Sequence, residues 1–171
     1  MVPGLVQTAA YARELFERPG RPTLIDPGDV DADAMATGRV RRQGILYQPG
    51  RRIELILGES AQRSTPGTIG TLLGQLDRLV SVVDLPTVEL GIVPFPLMPV
   101  SSFYMHDEIV YMETLTAEQQ LAEPDEVAVY VKAFNLLRES AVSGPDAAAL
   151  IQRVAGELRH AELRTRSHPQ R

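Results

Sequence analysis

The chain has 171 residues, of which 44% are hydrophobic and 23% are charged, and its formal net charge is −5. This length and balance predict a folded protein with its own core, and they exclude an intrinsically disordered chain. The negative charge argues against a general nucleic-acid-binding surface. The absence of cysteine excludes disulfides and thiolate metal sites.

The sequence also lacks the features of a membrane or secreted protein. No apolar run approaches the roughly 18–20 residues of a membrane-spanning helix. The first residues have neither the basic region nor the long apolar region of a signal peptide. We therefore expect a cytoplasmic protein without membrane contact, folded as one domain over residues 1–171 with a polar tail from about residue 160.

Two helices are predicted in the first quarter of the chain. Thr8 is a suitable N-cap for a helix that ends near Phe16. The inner face of this helix would carry Tyr11, Ala12 and Leu15. A second helix is predicted over about 30–47, ended by the turn signal QPGRR. Its inward-facing residues would be Met35, Val40, Ile45 and Leu46.

A strand and a third helix follow. The alternating, β-prone segment RIELILG predicts the strand. The helix would begin at a cap on Ser64 or Thr65, with Pro66 in its first turn. Its apolar spacing is carried by Ile69, Leu72, Leu73, Leu76, Leu79 and Val80. Three glycines at 67, 70 and 74 do not match a phosphate-binding loop, so we expect them to allow close packing of a neighbouring element.

The second half predicts a strand at TVELGIVP and a hairpin formed by SSFYM and IVYME around the turn residues HDE. A helix is expected after Pro124, and a last helix after the turn SGPD. The apolar stripes of these two helices are Val127, Tyr130, Val131, Phe134, Leu137 and Ala141, then Leu150, Ile151, Val154, Leu158 and Ala161. Because helices and strands do not alternate regularly, we expect an α+β fold, with a small, mainly antiparallel sheet of about three or four strands packed with several helices.

Catalytic signals are weak. His106 with Asp107, Glu108 and Glu113 is the best titratable cluster, but the histidine spacings of a zinc site are missing, and so is a G-x-S-x-G motif. The sequence therefore predicts no catalytic residue, no metal site and no cofactor. Glu59, at the end of the first strand, is interpreted as one member of an internal ion pair, for example with Arg42.

Seven segments, read in chain order, resemble a known family. They are VPGLVQTAAYARELF, RVRRQGIL, LGES, LLGQLDRLV, VELGIVPF, SSFYM and IVYMET. Together they are similar to the C-terminal domain of actinobacterial XRE-type helix-turn-helix regulators, the antitoxin-like family whose C-terminal half is a domain of unknown function. The match is less close at ESAQRS, where the family often has bulky residues, and the family's N-terminal helix-turn-helix is absent.

The resemblance implies a domain that senses a ligand or a partner, either a small toxin-like protein or a small molecule, with DNA bound only through the missing N-terminal unit. The residues that match the family motifs and are expected to line the binding site are Gln7, Tyr11, Arg42, Glu59, Gln75, Phe103, Tyr111 and Glu113. Two alternatives stay open. One is a free-standing domain that binds a small molecule or acts as an enzyme, and the other is a dimerisation module built on the last two helices.

Overall fold

The computed structural model describes residues 1–17, 31–95, 101–113 and 118–167. In these ranges it has five α-helices and two three-stranded sheets, which confirms the α+β class. The predicted start of the second helix near residue 30, the side chain of Glu113 and the last four residues lie outside what it describes. No helix in these ranges is long and apolar enough to span a membrane.

The helices and strands have the following bounds. The helices are α1 (Ala9–Glu17), α2 (Ala32–Arg42), α3 (Ile69–Val83), α4 (Pro124–Glu139) and α5 (Gly144–Ser167). The strands are β1 (Ile53–Gly58), β2 (Val88–Val93), β3 (Phe103–His106), β4 (Ile109–Glu113), β5 (Glu118–Leu121) and β6 (Val142–Ser143). Short 3-10 helices cover Gly4–Val6, Gln43–Tyr47 and Glu59–Gln62.

The first sheet has the order β1-β2-β6. Its strands β1 and β2 are parallel, with Ile53 beside Val88 and Gly58 beside Val93. Helix α3 makes the crossover between them, as the connection of parallel strands requires. Strand β6 pairs antiparallel with β2. The parallel pair was not anticipated, and the expectation of one sheet is corrected to two.

The second sheet has the order β3-β4-β5 and is antiparallel throughout. The predicted hairpin is confirmed. Its turn is formed by Asp107 and Glu108, which both have positive φ, the backbone conformation of the tight turns that match strand twist. Strand β5 was not predicted, because its sequence EQQL has no apolar alternation.

The main core lies between the first sheet and the helices α3 and α5. Leu72, Leu76 and Leu79 of α3 are fully buried against Ile151 and Val154 of α5. Alternate residues of β1 and β2 face this core, since side chains of a strand alternate between its two faces. The apolar spacing of the last helix is therefore explained by packing within the chain.

Two helices differ from their predicted form. Helix α2 ends at Arg42 and faces α1 with Ala32 and Ala36, while Met35 and Val40 are exposed. The prediction was wrong for Met35 and Val40, because small alanines at i and i+4 allow the two helices to approach closely and the bulky residues point elsewhere. It is confirmed for Leu46, which is fully buried in the main core.

Helix α3 begins at Ile69 rather than near Ser64. Thr68 is its cap, and its hydroxyl accepts a hydrogen bond from Thr71 N at 3.1 Å. The Glu14 carboxylate of α1 accepts from Thr68 N and from the Thr71 hydroxyl, a favourable place for negative charge.

The expected close packing at three glycines is wrong for Gly70 and Gly74 and confirmed for Gly67. A methyl group at Gly74 would meet nothing within 4 Å, and one at Gly70 would meet only the Thr68 hydroxyl. At Gly67, as predicted, a neighbouring element does approach closely, since the Glu14 carboxylate of α1 lies beside it.

Candidate functional site

The carboxyl ends of β1 and β2 lie side by side, which is where ligands of parallel sheets commonly bind. The 3-10 helix Glu59–Gln62 begins directly after β1, and Pro94 and Phe95 follow β2. We call the group formed by Glu59, Gln62, Arg63, Arg153 and Glu157 the carboxyl-edge cluster. It joins the end of the sheet to α5.

Glu59 is the charged centre of this cluster. It is only 6% exposed, and its Oε1 accepts a hydrogen bond from Arg63 at 2.7 Å. Its Oε2 accepts from the backbone N–H of Phe95 at 3.2 Å and lies 3.8 Å from the Arg153 guanidinium. The predicted internal ion pair is present, but its partners are Arg63 and Arg153, whereas the sequence suggested Arg42.

These contacts set the ionisation of Glu59. The hydrogen bond from Arg63 lowers the pKa of the Glu59 carboxyl, and the Phe95 N–H and the two guanidinium charges act in the same direction against burial. Arg63 also donates to Glu157 of α5 at 2.7 Å. Glu59 is therefore a carboxylate at neutral pH and serves as a bridge between the sheet edge and α5.

Gln62 differs from every other buried amide in the described residues. Its side chain is 0% exposed, and neither its Nε2 nor its Oε1 has a hydrogen-bond partner there. Residues three apart eclipse one another in a 3-10 helix, so Gln62 and Glu59 leave the same face of their helix. The cluster thus combines a satisfied carboxylate with an amide whose donor and acceptor are both unused. Sequence reasoning missed Gln62, Arg63 and Arg153.

Two of the predicted site residues, Gln7 and Gln75, are not part of the carboxyl-edge cluster and hydrogen-bond to the backbone of residues 2–8. Gln75 of α3 accepts from Thr8 N at 2.7 Å and donates to the Val6 carbonyl at 2.8 Å. The side-chain amide of Gln7 donates to the Val2 carbonyl at 2.8 Å. The backbone carbonyl of Gln7 accepts a hydrogen bond from the Gln43 side chain. We call Gln7, Gln43 and Gln75 the glutamine clamp, because their amides satisfy the backbone of the first residues. Tyr11, also predicted, is buried in the main core nearby.

The predicted aromatic residues lie on the second sheet. Phe103 contacts Tyr130 of α4 edge to face, with ring centroids 5.0 Å apart. Tyr111 stacks on Tyr104 at 4.7 Å, and the Tyr104 hydroxyl donates to Glu118. Burial and this carboxylate raise the pKa of Tyr104, and the positive charge of Arg42 opposes them.

The eight predicted residues therefore do not converge on one site. Gln7, Tyr11 and Gln75 belong to the clamp and core, and Glu59 belongs to the carboxyl-edge cluster. Arg42 ends α2 and is exposed, and Glu113 ends β4 with its side chain outside the described part. A single sequence cannot indicate which of its motif residues hold the fold and which are available to a ligand.

A second surface feature lies between α4 and the tip of the β3–β4 hairpin. It is a groove of about 680 Å³. Its lining is Glu108, Ala122, Pro124, Val127, Ala128, Val131, Lys132, Asn135, Leu136 and Glu139. We call it the α4 groove.

In residues 1–17, 31–95, 101–113 and 118–167, no three His, Asp or Glu side chains group closely enough to hold a metal ion. His106 and Asp107 are 3.2 Å apart, and both are well exposed at the hairpin turn.

Residues 1–153 match the family described as Domain of unknown function (DUF5753). No curated protein and no solved structure shows significant similarity to the chain.

Proposed function

We propose that this chain, which belongs to the DUF5753 family of domains of unknown function, is the ligand- or partner-sensing domain of a helix-turn-helix transcriptional regulator. The resemblance of its seven sequence segments to XRE-type, antitoxin-like regulators supports the regulatory role. In such a protein, DNA is contacted by a separate helix-turn-helix unit. The present domain would bind the ligand or partner protein and produce the response to it.

The observation that carries the sensing role is the buried, unpaired amide of Gln62. A buried polar group without a partner costs about 1–3 kcal/mol, so proteins seldom retain one without a use for it. The amide offers N–H donors and a carbonyl acceptor side by side. The best-matched ligand has a hydrogen-bond acceptor and a donor side by side, as a carboxamide or a nucleobase does.

The neighbours of Gln62 give binding a way to be transmitted. Glu59 lies on the same helix face as Gln62 and pairs with Arg153 of α5. Arg63, which follows Gln62 in the chain, pairs with Glu157 of α5. Because Gln62 is fully buried, a ligand would reach its amide only when the 3-10 helix moves, and that movement would alter both bridges to α5. The ligand would favour one arrangement of the 3-10 helix and α5 to the extent that it binds that arrangement more tightly than the other.

The test is a thermal-unfolding screen with five probes: asparagine, glutamine, nicotinamide, uracil and cytosine. A true ligand at about one hundred times its dissociation constant raises Tm by about 5–10 °C in a protein of this size. The same compound should leave Tm of Gln62→Met unchanged. Gln152→Met, which alters an exposed glutamine of α5, is the matched control and should respond like the wild type.

A protein partner is tested separately, by coexpression with any small protein that is encoded next to this gene. We expect either a ligand that acts through Gln62 or a stoichiometric complex in size-exclusion chromatography with light scattering. If no probe shifts Tm and the neighbouring protein elutes separately, the sensing role is wrong.

A further inference from the structure

We propose that two copies of this chain associate by inserting the end of α5 of each copy into the α4 groove of the other. The inference is independent of the sensing role. It starts from α4, whose residues are all in the described part of the chain and none of which is buried. Its apolar residues extend around the helix, a pattern normally found where a helix is enclosed.

Two of the three exposed large apolar residues of α4, Val131 and Leu136, line the groove, and Val129 does not. Leu136, which is 56% exposed, and Val131 line it together with Val127 and Ala128. On the opposite side of α4, Tyr130 packs edge to face against Phe103 of β3, and this contact holds α4 to the second sheet. The groove is therefore a preformed apolar surface on a helix that is fixed in place.

The groove is surrounded by acidic residues. Glu108 and Glu139 line it, and Glu123, Asp125 and Glu126 lie at the exposed start of α4. Lys132 is the basic residue of the lining, and Arg138 is directed towards Glu54 of β1. The complementary occupant is a helix that is basic and carries an apolar anchor.

The end of α5 has these properties. Its last contact with the main core is Leu158, and the helix continues to Ser167. Nine further residues extend it by about 14 Å, which is less than the roughly 24 Å length of α4. Beyond residue 158 the sequence of α5 has Arg159, Arg164 and Arg166 against one acid, Glu162, and Arg159 lies 3.6 Å from Asp77 of α3. Leu163 is 63% exposed and supplies the apolar anchor.

The exchange is reciprocal in a twofold dimer, because each copy has one groove and one α5 end. Two equivalent contacts form together, and both groove and helix end become covered. Neither Glu59 nor Gln62 takes part, so a failure of the dimer would not affect the sensing role.

The test is sedimentation velocity of the full chain over a wide concentration range. We expect a monomer–dimer equilibrium that weakens as salt is raised, because opposite charges meet at the contact. Leu136→Gln should raise the dimer dissociation constant at least tenfold. Val129→Gln is the matched control, since Val129 lies on the same helix, is 64% exposed and does not line the groove; it should leave the constant unchanged.

Charge variants identify the occupant. Arg164→Glu should weaken the dimer as Leu136→Gln does, and adding Glu139→Arg to it should restore part of the affinity. The proposal is overturned by a monomer at every concentration, or by a dimer that none of these variants affects. It is also overturned if Val129→Gln acts like Leu136→Gln, or if open-ended oligomers form in place of a dimer.

Discussion

The side-chain oxygen of Gln75 accepts a hydrogen bond from the backbone N–H of Thr8 at 2.7 Å, which ties α3 to the start of α1. Its Nε2 donates to the Val6 carbonyl at 2.8 Å, so one amide satisfies two backbone groups. The first residues thereby acquire partners that the short 3-10 helix Gly4–Val6 does not provide. The glutamine clamp is a structural device at the boundary of the main core.

Replacing this amide should destabilise the fold. Gln75→Leu keeps the volume but leaves the Thr8 N–H and the Val6 carbonyl unpaired, and we expect a loss of about 3 kcal/mol in the free energy of unfolding. Urea denaturation measures it. Gln152→Leu, on the exposed side of α5, should change the value by less than about 0.5 kcal/mol. Equal losses in the two variants would show that the clamp has no special role.

Two glycines should respond to alanine in opposite directions. Gly74 lies inside α3 with open space around it, so Gly74→Ala should raise stability by about 0.5–1 kcal/mol. At Gly91 of β2 the new methyl would lie 3.0 Å from the Ala141 Cβ. Gly91→Ala should therefore lower stability by about 1–3 kcal/mol. Thermal unfolding compares the two, and a gain at Gly91 would mean that the strand tolerates displacement of the chain at Ala141.

The pH dependence of stability should depend on Glu59. Its pKa is lowered in the folded protein, chiefly by the hydrogen bond from Arg63, so its carboxylate stabilises the fold above about pH 5. This contribution is lost progressively as the pH falls below about 4, through the lowered pKa. Glu59→Gln should cost about 1–3 kcal/mol at pH 7, and the difference from wild type should shrink towards acid.

The control for this measurement is Glu89→Gln, which removes a carboxylate that pairs with the well-exposed Arg52 at 3.0 Å. A fully exposed pair is screened by solvent and contributes little to stability, so its loss should have little effect at any pH. A constant difference between Glu59→Gln and wild type from pH 7 to acid would contradict the assigned ionisation.

The hairpin turn offers a stabilising change. Glu108 has a φ of 63°, a left-handed conformation that costs a residue with a side chain about 1–2 kcal/mol. Glu108→Gly should raise the free energy of unfolding by about 1 kcal/mol, measured in dilute protein by urea denaturation. Glu126→Gly, in the exposed first turn of α4, should lower it by about the same amount. A loss in both variants would exclude the proposed backbone strain.

The elements that the sequence predicts well are those with a complete local signal. Thr8 does cap α1, with its hydroxyl accepting from Tyr11 N, and the apolar spacing of α3 and α5 identifies most of the core. Strand β6 has two residues and β5 is polar and exposed, so neither has a pattern to detect. The parallel pairing of β1 with β2 depends on the packing of α3, which no local pattern encodes.

Prediction of the carboxyl-edge cluster from the sequence is limited in the same way, because its contacts depend on packing. Glu59 was identified because it follows a strand, but Arg153 lies far along the chain and reaches it only through the packing of α5. Arg63 could have been found, since it is four residues from Glu59 and begins the next turn. Gln62 gave no signal, because an amide in a polar segment is normally at the surface.

The central place of β2 has a consequence for synthesis on the ribosome. Its partner β1 precedes it, but the strand on its other side, β6, is translated about fifty residues later, which takes several seconds at roughly 10 residues per second. During that interval the edge of the nascent sheet at Gly91 and Ile92 has no native neighbour. Until β6 arrives, this unpaired edge is a place where another chain could pair with the emerging polypeptide and start aggregation.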